Sequence, residues 1–220
     1  MIRRGLTVGS YDTAANLWLL TGLNLAEPET VTNYVNVPGR LKGPLDLSTA
    51  LTDGDPVYSS RLLTATFESS EDDRLTRENR INTMVNQLHG QRLSITLPDD
   101  PQRFLVGRVQ VERVYNDPAH ASVRLTATCE PWRYNNAETV ATFQATETQQ
   151  TGKLYNQGRL AMVPLLKVTG GDVQLVFGTS SWNLSAGSYS LPDLLLPRRG
   201  LDIKYSGSGT LIFIYREAVL

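Results

Sequence analysis

The sequence predicts a mainly β protein in two parts: an N-terminal β-sandwich or barrel-like domain with one α-helix and a β-hairpin, then a second β-sandwich. Three observations carry this. Most apolar stretches alternate with period two, the habit of half-buried strands. One stretch, near residues 71–89, switches to helical spacing. Beyond residue 134 acidic residues thin out and glycines recur at short intervals, as between the strands of a sandwich.

The elements follow in chain order. A strand is expected over 32–37, stopped by Pro38-Gly39, with a second break at Gly43-Pro44 before Leu45-Asp46-Leu47. Leu63, Ala65 and Phe67 share one face of a strand, with Leu62, Thr64, Thr66 and Glu68 on the other. Ile81, Met84, Val85 and Leu88 form one helical stripe. Ser70 is placed to cap that helix, with Asp73 in capping-box position and Glu71, Asp72 and Asp73 on the positive end of its dipole. His89 falls in the last turn and Gly90 just past it. Residues 91–97 and 103–114 read as a hairpin about a turn at 98–101, and 121–128 as a further strand. In the second part, strands are expected at 163–168, 173–177, 201–205 and 210–216, with Gly207-Ser208-Gly209 as a hairpin turn. The domains are placed at 1–134 and 135–220.

Composition narrows the function. With 40% apolar residues in 220, the chain can bury a core. The formal net charge is −1, with 14 basic against 16 acidic residues up to 134 and 7 against 6 after it. Neither part carries the basic excess of a protein that grips phosphates. Cys129 is the one cysteine, so no intrachain disulfide is possible, and its alternating neighbourhood places it in a strand. No apolar run reaches the length of a signal peptide or a membrane span, so folding in a cytoplasm without membrane contact is expected.

Catalytic patterns are sparse. The two histidines, His89 and His120, and Cys129 have no metal-ligand spacing, so no metal or cofactor is expected. No Gly-x-Ser-x-Gly elbow marks a serine hydrolase. Asp99-Asp100 read as an exposed turn, not as carboxylates facing across a cleft. A hydrolase with dispersed residues is disfavoured by the scarcity of His and Cys. Trp132, Trp182 and Tyr189 are the aromatic candidates for stacking on a sugar, with Trp182 in an apparent loop. A carbohydrate-binding module using Trp182 or Tyr189 is therefore the alternative to a structural role.

The segment Tyr34-Val35-Asn36-Val37-Pro38-Gly39, followed by Gly43 and Leu45-Asp46-Leu47-Ser48, resembles the N-terminal signature of phage distal tail proteins. Residues 56–67, the helix ending at Gly90, the strand reaching Glu130-Pro131-Trp132, Asn156-x-Gly158 with Pro164, and Tyr215-Arg216-Glu217 continue the pattern. The resemblance implies a structural virion protein without enzyme activity. Six copies would close into a tail-tip hub ring, followed in each chain by a galectin-like β-sandwich outside it. Its partners would be itself, the tail tube protein and tail-tip or baseplate proteins, and DNA would cross the lumen without specific binding. Strand 31–37, ended by Pro38-Gly39, would then pair across the subunit boundary.

Overall fold

The protein, described as a computed structural model over residues 5–39, 43–52, 54–69, 73–116 and 121–220, divides into two compact units, Met1–Arg133 and Tyr134–Leu220. It is mainly β, with one α-helix among the described residues. The expectations placed on Ser70, Glu71, Asp72 and His120 lie outside the described residues.

The first unit contains β1 (Thr7–Val8), β2 (Tyr11–Asp12), β3 (Leu19–Leu25), β4 (Tyr34–Val35), β5 (Leu45–Asp46), β6 (Arg61–Ser69), α1 (Arg74–Leu88), β7 (Arg92–Leu97), β8 (Asp100–Asn116) and β9 (Ala121–Cys129). One antiparallel sheet runs in the order β2-β1-β7-β8-β9-β6-β3. The alternation read for β6 holds, with Leu63, Ala65 and Phe67 buried against Val123, Leu125 and Ala127 of β9. Ile81, Met84 and Leu88 of α1 join the same core, while Val85 is half-buried. Trp18 is fully buried and its indole Nε1 donates to the Tyr11 hydroxyl at 3.0 Å, so the largest apolar side chain in the core leaves no stranded donor.

Three local readings are corrected. The helix is shorter than 71–89 and is capped by Asp73, whose carboxylate accepts from Leu75 N and Thr76 N. Asp73 has extended backbone geometry, which ends the helix there and turns a side chain expected inside the capping box into the cap itself. The turn between β7 and β8 is the two-residue Pro98-Asp99, closed by pairing of Leu97 with Asp100. Asp100 is not an exposed turn residue: its carboxylate is 20% exposed and lies near Arg103 and Arg133.

The second unit begins within β10 (Arg133–Asn135) and continues with β11 (Thr139–Gln144), β12 (Gln150–Leu154), β13 (Leu165–Thr169), β14 (Val173–Phe177), β15 (Ser180–Leu184), β16 (Gly187–Ser190), β17 (Leu201–Gly207), β18 (Thr210–Tyr215) and β19 (Ala218–Val219). Two four-stranded sheets, β11-β18-β13-β16 and β12-β17-β14-β15, form a β-sandwich. Leu166, Val168, Leu211 and Phe213 from one sheet and Val173, Leu175, Ile203 and Tyr205 from the other supply its core. Gly207-Ser208-Gly209 is not a hairpin turn but the crossing from β17 in one sheet to β18 in the other. The crossing needs glycine: Gly207 has φ 133°, and a Cβ there would lie 2.2 Å from Asp172 O. Asn156, buried among backbone groups, accepts from Gly158 N and donates to the carbonyls of Leu160 and Leu196.

Candidate interaction surface

β3 and β6 do not end where they leave the sheet. Their pairing continues outward as a two-stranded arm, from Ala26 N bonded to Leu62 O, through Ser59 N to Glu29 O, to Val31 N bonded to Val57 O. Thr30 and Tyr58 bridge between these rungs. Farther out, Asn33 O accepts from Leu47 N, and β4 pairs with β5 through Tyr34 with Asp46 and Val35 with Leu45. Gly39 and Gly43 have φ 82° and 81°, conformations that side-chain-bearing residues rarely adopt.

The return path is held by local polar contacts. Asn33 N donates to Ser48 Oγ and Ser48 N to Asp46 Oδ1. The Ser48 hydroxyl and backbone N–H hold the Asp46 carboxyl below the usual carboxylate range. Beyond Ser48, Ala50 N bonds to Leu47 O, Thr52 N to Thr49 O and Asp55 N to Thr52 O.

No described residue from 26 to 60 is buried. The arm nevertheless carries Val31, Tyr34, Val35, Val37, Leu45, Leu51 and Val57, each exposed, with Tyr34 at 61% and Leu51 at 99%. Apolar surface concentrated on a projection with no core of its own is the pattern of a contact surface. A two-stranded ribbon gains little stability by itself.

The structure places Tyr34 and Val35 on β4, and Asn36, Val37, Pro38 and Gly39 beyond it in irregular chain and turn, all exposed. The strand expected over 32–37 is thus two residues long, and its paired edge is taken by β5 of the same chain. Proline explains the short strand: Pro38 has no N–H to extend a ladder and restricts the backbone of Val37 before it.

In the second unit Trp182 is on β15, not in a loop, and stacks on Phe177 with ring centroids 4.4 Å apart and planes 9° from parallel. Tyr189, on β16, donates its hydroxyl to Ser185 O at 2.8 Å. Both rings pack against the sandwich core. Trp132 belongs to the first unit and meets Tyr58 edge to face at 5.6 Å.

Cys129 is buried in β9, opposite Arg61, and burial pushes its thiol up to about 11. Among the described residues no group of three or more His, Cys, Asp or Glu side chains is arranged to hold a metal ion, and no helix is long and apolar enough to cross a membrane.

Sequence reading missed Leu51, Val57, Tyr58, Glu27 and Arg61 as parts of this surface and its root. Parity was the available signal for Arg61, which shares the inward phase of Leu63, Ala65 and Phe67.

No family model matches the sequence, and no curated protein matches it. The fold is similar to that of a solved structure described as SPP1 Dit (gp 19.1), a paradigm of the hub adsorption apparatus in Gram-positive-infecting phages. The TM-score is 0.66 at 15% sequence identity, covering 96% of this chain and 98% of that one.

Proposed function

We propose that this chain is a structural virion protein of a phage or prophage tail tip, six copies of which close into a hub ring joining the tail tube to the tip or baseplate. One observation carries the reading: the fold likeness to a phage hub protein runs nearly end to end through both units. The exposed apolar arm supports it, because such a surface suits burial against a neighbouring subunit. In this reading 34–39 form part of the ring contact, through the edge and tip that β5 leaves uncovered. The partners are further copies of the chain, the tail tube protein and the tail-tip proteins. Assembly takes place in the host cytoplasm and the product is located in the virion. The near-neutral charge suits a lumen through which DNA passes without being held. The second unit is read as a galectin-like sandwich. No enzyme activity is assigned.

The carbohydrate reading receives less support. Phe177 covers one face of Trp182, and Tyr189 is tied to Ser185, so both aromatic rings have packing partners. A galectin-like fold alone carries no sugar specificity.

The test is Val35→Pro, which removes a backbone N–H from β4 and touches no buried side chain. Dispersed rings with a folded monomer are expected. Rings that persist unchanged would remove 34–39 from the contact.

A further inference from the structure

β6 opens with a charged residue where its alternation calls for an apolar one. The Arg61 side chain is 0% exposed, and a guanidinium that deep is costly unless its donors are paired. Its Nε donates to Ala26 O at 3.1 Å, its Nη1 to Pro131 O at 3.5 Å and its Nη2 to Glu27 Oε2 at 2.6 Å. Burial pushes the guanidinium below its ordinary range, and the Glu27 charge pulls it back up.

The pairing continues past Glu27. Its second oxygen lies 3.9 Å from Arg133 Nη2, and Arg133 Nη1 lies 3.6 Å from Asp100 Oδ2. On the returning strand Tyr58 rests edge to face against Trp132. These contacts meet at one place: Ala26 and Glu27 on the outgoing strand, Tyr58 and Arg61 on the returning one, and residues 131–133 at the end of the first unit.

That convergence matters because the arm has no core to set its direction. A ribbon without buried side chains swings unless it is held at its base. In a pair with one buried and one exposed partner, the role assigned here is the choice of one arm conformation and not net stability. From the Glu27–Arg61–Arg133 cluster we infer that Glu27 and Arg61 are positioning residues that clamp the arm's root to residues 131–133, presenting the arm as a stiff projection. A stiff arm loses less conformational freedom on meeting its partner, so the clamp raises affinity without touching that partner. The functional half of this inference rests on the reading of the arm as an assembly surface.

Hydrogen exchange on the full-length Glu27→Ala protein tests it, on dilute samples that light scattering shows to be monomeric. Glu27 is 78% exposed, so its removal leaves no hole in the core. The amides of Val31, Leu47 and Ser59, which bond across the arm, are expected to exchange about tenfold faster than in the parent. Those of β9 should stay within about twofold. Glu27→Gln, which keeps an acceptor without the charge, should fall between. Unchanged exchange in the arm, or equal acceleration in arm and β9, would overturn the clamp. If the arm loosens and assembly weakens, clamp and assembly role both stand. If the arm loosens and assembly is untouched, the clamp stands and the arm's assembly role fails.

Discussion

Arg61 Nη2 and Glu27 Oε2 lie 2.6 Å apart, yet one side chain is fully buried and the other is 78% exposed. The pair therefore responds unequally to the loss of each partner. Glu27→Ala leaves a buried guanidinium with backbone carbonyls as acceptors, and should lower the stability of the first unit by about 1–2 kcal/mol. Arg61→Met fills the space without charge but takes the donor from Ala26 O and Pro131 O, and should cost about 1–3 kcal/mol. Urea unfolding followed by the fluorescence of buried Trp18 measures both. Unchanged stability in both variants would contradict the account.

The sandwich of the second unit depends on Asn156, which satisfies three backbone groups at once. Asn156→Ala strands them in a buried site and should cost about 2–4 kcal/mol. Thermal unfolding should show the second unit melting earlier.

Trp182 separates packing from recognition. If its stack on Phe177 is its role, Trp182→Ala destabilises the second unit by about 2–4 kcal/mol and leaves binding to cell-wall glycans unchanged. Lost glycan binding at unchanged stability would favour the carbohydrate reading.

Cys129 gives the chain a pH dependence at the alkaline end. Its thiol is raised to about 11 when folded, so the folded state holds the proton more tightly than the unfolded one. The contribution is fully present below about pH 9 and is lost as pH rises toward 11, amounting to about 2–3 kcal/mol. Cys129→Ala should flatten that part of the stability profile, as read by denaturation between pH 8 and 11. At pH 8 the folded parent should resist alkylation until it unfolds.

Periodicity made much of the scaffold legible in advance. The phase of Leu63, Ala65 and Phe67, the stripe of Ile81, Met84 and Leu88, and four strands of the second unit follow directly from apolar spacing. β15 and β16 escaped because Ser180-Ser181 and Gly187-Ser188 carry turn chemistry while their pairing is tertiary. The arm's tip was marked by Pro38-Gly39, but its length was hidden: a ribbon without a core has no apolar period to betray it. Arg61 was legible by parity alone, since its partners Glu27 and Pro131 are remote in sequence.

The central claim is assembly, and mass tests it most directly. Light scattering after size exclusion, with negative-stain imaging, should find six copies of the 24.4 kDa chain, about 146 kDa, closed around a visible hole. A particle that stays at 24.4 kDa at every concentration, and when mixed with tail tube and tail-tip proteins, would contradict it.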